Sequence, residues 1–433
     1  MSDMPTELKE RSYWGDTVIE SAAATEPLPT RVDVAVIGGG ITGLCAALAL
    51  ARRGIRVAVL ETHTIGWGAS SRNGGMVLTG LKVGVETLIA RYGLELARRL
   101  YQASVDSVDI VERIAADEHI DCHFNRCGHL SLASKPAHFE HFVRSAELLA
   151  REFSCAPRLI TRADLRTEIG SDAYFGGMVD ELSGGINPAQ YVTGLARAAR
   201  DAGATLHERA CVERVTRQGS GWRVSTKRGA LDAGDILVAT SGYTGAIAPA
   251  VFRKLLPIGS YVIATEPLTE ALARDVSPRE RMMYDSWHFL HYFRLTPDRR
   301  LLFGGRARFV PETEATIRES AAELREGMLK IYPQLCAVRV DYAWGGTLDF
   351  TYDTMPHLGQ VDGYYYALGY AGHGVALASL LGTHAGATLG TAALQTSPFA
   401  QLPFPGAPLG LHRGKTWFLG LAAAWYRFLD RVA

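Results

Sequence analysis

Gly38, Gly40 and Gly43 stand in the run GGGITG with the GxGxxG spacing of a dinucleotide pyrophosphate site. The first glycine permits a tight turn. The second lets backbone approach the phosphates, and the third lets helix and strand pack closely. Ile41 and Thr42 begin the helix whose free N–H groups and dipole would face the pyrophosphate. Glu61, 18 residues after Gly43, ends the next strand. A carboxylate there accepts hydrogen bonds from a ribose diol and disfavours a 2′-phosphate. The loop that follows, TIGWGASSRNGGMV (64–77), is rich in small residues. A nicotinamide domain usually runs on into a helix at this point. A flavin needs chain that accompanies its ribityl and ring system, so the loop points to FAD. Gly68, Ala69, Ser70, Ser71, Asn73 and Met76 are its candidate contacts. Gly74 and Gly75 would lay backbone against the isoalloxazine. Arg72 is a candidate for either the pyrophosphate or the reacting centre. A second glycine cluster, GYAGHGVA (369–376), opens an apolar helix. Gly372, Gly374 and Val375 would present N–H groups to the flavin pyrimidine edge, where reduced flavin carries negative charge. His373 reads equally as a packing residue and as an active-site group.

The elements that position these groups are local. Val32–Ile37 is a short β-branched run, Ile41–Arg53 a proline-free Ala/Leu helix stopped by Gly54, and Ile55–Leu60 a second buried-strand pattern. Strand, helix and strand within about 30 residues make the unit that builds parallel sheets. Helices are expected over Glu86–Arg99 and Val105–Glu118, over 186–203, over 312–331 and over Gly372–Leu389. Strands are expected at HLSLA after Cys127, at Thr205–Val215, Trp222–Thr226, Asp235–Ala239 and Pro257–Ala264. More are expected within 284–309, with a turn at Thr296-Pro297-Asp298, and at Tyr364–Leu368.

Composition excludes several classes. The chain has 433 residues, 47% of them hydrophobic, so it is globular and long enough for two to three domains. Forty-five basic residues balance 45 acidic ones, which argues against a nucleic-acid binder. The six cysteines form no CxxC pair and no zinc spacing, so neither a disulfide framework nor a metal site is expected. No signal pattern opens the chain and no apolar stretch reaches membrane-spanning length, so a cytoplasmic protein is expected.

Several stretches together resemble the D-amino-acid oxidase, or DAO-type, family of FAD-dependent oxidoreductases, and within it the γ-glutamylputrescine oxidoreductases. They are Ser12-Tyr13-Trp14, IGWGASSRNGG, LLFGGRA (301–307), DYAWGGTLDFTYDTMPHLG (341–359), YAGHGVA (370–376), and PFPG (403–406) with the ending AWYRFLDR (424–431). The likeness spans about residue 12 to the end. It implies an α/β fold in which a Rossmann-like FAD-binding domain (31–80, 155–250, 342–400) interleaves with an α+β, antiparallel-sheet substrate domain (81–154, 251–341). A leader (1–30) and a C-terminal linker and helix (401–433) complete the chain. The resemblance implies that Gly38, Gly40, Glu61, Ser70, Asn73–Gly75 and Gly372–Val375 touch FAD, and that Val212 lies near the adenine.

It also implies oxidation of a small amine or amino acid, with hydride passing to flavin N5 and the imine hydrolysing to an aldehyde. The acceptor is O₂, giving H₂O₂, or else a quinone. Relatives that bind flavin covalently use a late cysteine. The last one here, Cys336, precedes the flavin helix, so non-covalent FAD is expected. The lysine some relatives use for O₂ is replaced near Leu302, and His373 is the candidate substitute cation. Aromatic pocket walls are expected from Tyr261, Trp287, His288, Tyr292 and Trp344. Arg306 or Arg308 is a candidate for a substrate carboxylate. Asp353, beside Tyr352, reads as a pocket group or a turn cap. The tail from Trp417 is amphipathic, open to weak peripheral membrane contact or to docking on the body. A non-catalytic flavoprotein is the third alternative. Oligomeric state is open.

Overall fold

The computed structural model describes residues 8–19, 27–308 and 313–407, without the side chains of 306–308. Two eight-stranded sheets organise it. The first runs His357–Val361, Tyr364–Leu368, Gly229–Val238, Arg31–Ile37, Val57–Leu60, Thr205–His207. The five strands from Tyr364–Leu368 onward are parallel, while His357–Val361 is an antiparallel edge. The hairpin Val212–Gln218 and Gly221–Thr226 extends it from Gly229–Val238. Helix Ile41–Arg52 follows the first strand, as its Ala/Leu run predicts, and is buried along almost its whole length. It lies backbone to backbone on helix Gly374–Thr388. A Cβ at Gly382 would stand 2.3 Å from the Thr42 carbonyl oxygen, and one at Gly386 2.3 Å from that of Ala46.

The second sheet runs Val340–Thr351, Leu255–Thr265, Leu301–Arg308, Tyr292–Leu295, Met282–Asp285, His129–Leu132, Gly176–Asp180, Arg158–Thr161. All neighbours are antiparallel except Met282–Asp285 and His129–Leu132. Helix Glu314–Ile331 covers one face, packing Ile317, Ala321, Leu324 and Met328 into its core.

Three stretches lie elsewhere than the resemblance implies, the first being Val340–Thr351, which falls largely within 342–400 yet pairs with Leu255–Thr265 in the second sheet. Residues 155–250 were assigned to the first unit, yet Arg158–Thr161 and Gly176–Asp180 pair into the second sheet. Residues 81–154 were assigned to the second. Helix Val85–Asp117 instead sends Leu88, Leu100, Val108 and Val111 into the first core, its apolar stripe matching the neighbouring helices. Two helices do meet in this span, but the break between them is a kink at the non-helical Gly93 (φ 76°), earlier than the expected one between Arg99 and Val105.

The leader is partly ordered. Tyr13–Thr17 forms a 3₁₀ turn, Trp14 is fully buried, and Lys9 bridges to Tyr342. The expected tail helix and most of its linker lie outside the described residues.

Candidate active site

The carboxyl ends of Arg31–Ile37, Val57–Leu60 and Gly229–Val238 open onto one cavity of about 880 Å³. That is where an open parallel sheet binds ligands. Gly38, Gly40, Ile41, Thr42, Glu61 and Val212 line it. Gly43 lies behind them, where a Cβ would stand 2.0 Å from the Gly38 carbonyl oxygen. The turn is braced from the side. Glu61 Oε2 accepts from Gly39 N (2.8 Å), Oε1 accepts from His63 N (2.9 Å), and Ser70 Oγ accepts from Ile41 N (3.0 Å). These residues fit FAD: an acid at the second strand end, a glycine turn at a helix N-terminus, and a Cβ at Gly40 that would fall 2.6 Å from Ser70 Oγ.

The loop 64–77 crosses the cavity as a supported ribbon. Gly68, Ala69, Ser70, Arg72, Asn73, Gly74 and Met76 face the cavity. Its carbonyls are held from behind. Ser12 Oγ donates to Ser71 O (3.2 Å), Trp344 Nε1 to Arg72 O (2.8 Å), and Trp14 Nε1 to Asn73 O (2.8 Å). Asn73 closes the turn, its amide donating to the Ala69 and Ser70 carbonyls and its oxygen accepting from Gly75 N (2.7 Å). Gly75 and Ser71 therefore support the ribbon rather than line the cavity. Ser71 Oγ donates to Gly66 O, and Gly75 O accepts from the buried Arg294 guanidinium (2.8 Å). Burial without a carboxylate partner lowers the Arg294 pKa to about 10. Arg72 lies 4.5 Å over the Trp67 ring.

Helix Gly374–Thr388 points its N-terminus at the same space, with Gly372, His373, Gly374 and Val375 on the lining. The turn before it is strained, with Ala371 at φ 50° and Gly372 at φ 96°. Asp349 fastens it. The buried carboxylate accepts from Gly369 N (2.6 Å) and Tyr370 N (3.3 Å), and its carbonyl accepts from Ala371 N (3.0 Å). Burial pushes the Asp349 carboxyl up to about 6. His373 does not supply the expected cation. Burial first, then the Lys82 and His129 charges, lower its pKa to about 3, so the ring is neutral. Its Nδ1 has no partner among the described residues.

The second sheet closes the other side. Trp287, His288 and Phe289 come from the loop 286–291, with Tyr292 and Ser260 beside them. Asp285 anchors that loop. Its carboxylate, raised in pKa by burial, accepts from Trp287 N (3.3 Å) and His291 N (3.1 Å) and pairs with His291 Nδ1 (3.1 Å).

Tyr261 is not a wall. Alternation along Leu255–Thr265 puts Ile258, Ser260 and Val262 on the cavity and turns Tyr261 toward helix Glu314–Ile331, where its hydroxyl meets Thr316 Oγ1 (3.2 Å). Trp344 sits behind the loop instead of in the pocket. Leu302 is fully buried with it and Trp14. Asp353 is a turn cap, accepting from Met355 N and pairing with His357. The Arg306 and Arg308 side chains lie outside the described residues. The sequence reading missed Asp349, Phe289, Ser260 and Lys82, all on the lining. Only Asp349 carries a signal in the chain, an acid set between the apolar Leu348 and Phe350.

A parallel sheet with a braced glycine turn, and a second sheet roofing its cavity with aromatic residues, define a two-part dinucleotide-dependent oxidoreductase. The chain belongs to the DAO family of FAD-dependent oxidoreductases, whose model matches residues 33–387. A probable oxidoreductase OrdL of Haemophilus influenzae is 34% identical over 81% of each chain. The γ-glutamylputrescine oxidoreductase of Escherichia coli is 33% identical over 92% of this chain and 93% of its own. Among solved structures, glycine oxidase from Geobacillus kaustophilus superposes with a TM-score of 0.70 at 22% identity. It covers 89% of this chain and 100% of its own, a likeness of fold. Among the described residues, no helix is long and apolar enough to cross a membrane and no cluster of His, Cys, Asp and Glu suits a metal ion.

Proposed function

We propose that the protein oxidises a small amine, γ-glutamylputrescine-like or an amino acid, to an imine that hydrolyses to an aldehyde, with O₂ reduced to H₂O₂. One observation carries the reading: the dinucleotide cradle and an aromatic wall share one cavity. Bound there, FAD supplies the two-electron acceptor. The chain supplies position and environment. Trp287, Phe289 and Tyr292 exclude water from the space facing Gly74. An apolar wall favours the neutral amine, the form that releases hydride. A neutral His373 adds no charge to repel that amine. The 64–77 ribbon and the Asp349-held turn grip the flavin from two sides, which keeps the reacting atoms aligned.

The cofactor is held without a covalent bond. Among the described residues Cys211 is the one cysteine on the cavity lining, and it neighbours Val212, the residue the family resemblance puts near the adenine. A second reading, electron transfer to a quinone, is favoured by Leu302, whose burial leaves that strand position without the O₂-activating cation. The test is anaerobic titration of the holoenzyme with γ-glutamylputrescine, putrescine, glycine, sarcosine and D-alanine, followed by admission of air. Bleaching of the flavin by one amine supports the reading, and rapid recolouring assigns O₂. Slow recolouring assigns another acceptor. No bleaching by any amine refutes amine oxidation and leaves a non-catalytic flavoprotein.

A further inference from the structure

Lys82 lies on the chain between Met76–Val77 and helix Val85–Asp117. It lines the cavity beside Leu78 and Leu81, in company with His141 and Phe142 of helix Pro136–Glu152. Lys82 is exposed, with its side chain open to the cavity solvent. Among the described residues no hydrogen bond or ion pair engages its ammonium.

The nearby acids are committed elsewhere. Glu86 accepts from Ser145 Oγ (2.7 Å), Asp180 from Thr79 and Ser183, Asp285 from His291, and Asp349 from the turn at 369–370. Desolvation lowers the Lys82 pKa, as it does for any cation that leaves bulk water without a counter-charge. The charge is also felt by His373 at the flavin helix, so the two groups serve one space. An exposed ammonium on the cavity wall, with no counter-charge engaging it, is placed to pair with an anion that arrives with the ligand. An ammonium on a flexible stem meets such an anion as a point charge with three donors.

We propose that Lys82 binds a carboxylate of the substrate, so that the oxidised amine is one end of a molecule whose other end is an acid. This rests on the amine-oxidising reading above and narrows its substrate class to amino acids and carboxylate-bearing amine conjugates. A plain diamine has nothing to offer Lys82. Putrescine would therefore be a poor substrate beside its γ-glutamyl conjugate.

The test compares wild type, Lys82→Met and Lys82→Arg holoenzymes, each with two probes of equal length, 5-aminopentanoate and pentylamine. Flavin reduction is followed anaerobically. A charge-assisted hydrogen bond of this kind gives about 10- to 150-fold in preference. Preference for the acid over the plain amine falls by that factor in Lys82→Met and is largely restored in Lys82→Arg. Equal losses for both probes, or an unchanged preference, overturn the proposal.

A second arm does not depend on turnover. Pentanoate is titrated into each oxidised holoenzyme and the flavin absorbance shift gives its Kd. Weakening by the same factor in Lys82→Met supports the proposal. A Kd unchanged by the substitution, or no shift in the wild type, overturns it. If neither amine reduces the wild type, amine oxidation itself fails while this arm still decides the role of Lys82. A fall in the flavin reduction potential of ligand-free Lys82→Met, with preference intact, assigns the charge to the cofactor instead and also overturns the proposal.

Discussion

Asp349→Asn tests the link between the crossing strand and the flavin helix. The carboxyl is 3% exposed, and burial raises its pKa from an ordinary 3.8 to about 6. Between those values the folded protein holds a proton that the unfolded chain has released. Stability therefore falls as pH rises through the window and levels off above about 6. From pH 5 to pH 7.5 the loss from this group is about 1.4 kcal/mol, and across the whole window about 3 kcal/mol. Asparagine cannot titrate, so the variant lacks that slope. It also turns an amide N–H₂ toward one of the two backbone donors at Gly369 and Tyr370, which costs about 1–3 kcal/mol at all pH values. The assay is equilibrium urea unfolding of the FAD-saturated protein at pH 5 and 7.5, for wild type and variant. The expected result is a less stable variant whose pH difference is smaller than the wild type's by about 1.4 kcal/mol. Equal pH differences in the two proteins would refute the reasoning, because Asp349 would then be titrating as in the unfolded chain.

Gly43→Ala drives a methyl onto the Gly38 carbonyl oxygen and is expected to purify colourless, as a flavin-to-protein absorbance ratio would report. Tyr261→Phe loses a hydrogen bond to Thr316 and is expected to cost about 0.5–1.5 kcal/mol of stability with KM unchanged. Tyr292→Phe, on the cavity, is expected to move kcat/KM instead, and steady-state kinetics of the pair separates the two faces of the sheet. With the His373 pKa lowered to about 3, the kcat profile from pH 5 to 9 is expected to keep its shape in His373→Asn; loss of an ionisation in that range would contradict a neutral ring. Acid precipitation of the holoenzyme is expected to release all the yellow colour to the supernatant, and colour in the pellet would show a covalent link.

What could be read from the chain alone was local. The glycine turn at 38–43, its strand and helix, and Glu61 at the next strand end lie within about 30 residues, and their period and capping signals are self-contained. The 64–77 loop was equally legible, because its small residues do their work along the backbone. Facing was harder. Tyr261 and Ser260 differ by one step on a strand buried on both sides, and no alternation of polarity marks which face meets the cavity. Pairing between distant segments was out of reach. Nothing in RLIT (158–161) or GGMVD (176–180) announces that each pairs with a strand of the second sheet. Lys82 was missed for a related reason. One exposed lysine in a glycine-rich loop looks like any surface lysine until the fold puts it on the same cavity wall as helix Pro136–Glu152 and the flavin turn.

The glycine seam between helices Ile41–Arg52 and Gly374–Thr388 sets a timetable for biosynthesis. The first helix emerges from the ribosome early, apolar around nearly its whole circumference, and its partner follows some 330 residues later. At about 5–20 residues per second that is a delay of roughly 15–70 s. Through that interval the glycine turn is already made, but the helix beneath it has nothing to lie on. Cofactor capture therefore belongs to the end of translation, and the nascent chain must be shielded until then. A slow-growing culture or a surplus of chaperone should raise the yield of yellow protein more than a surplus of riboflavin does.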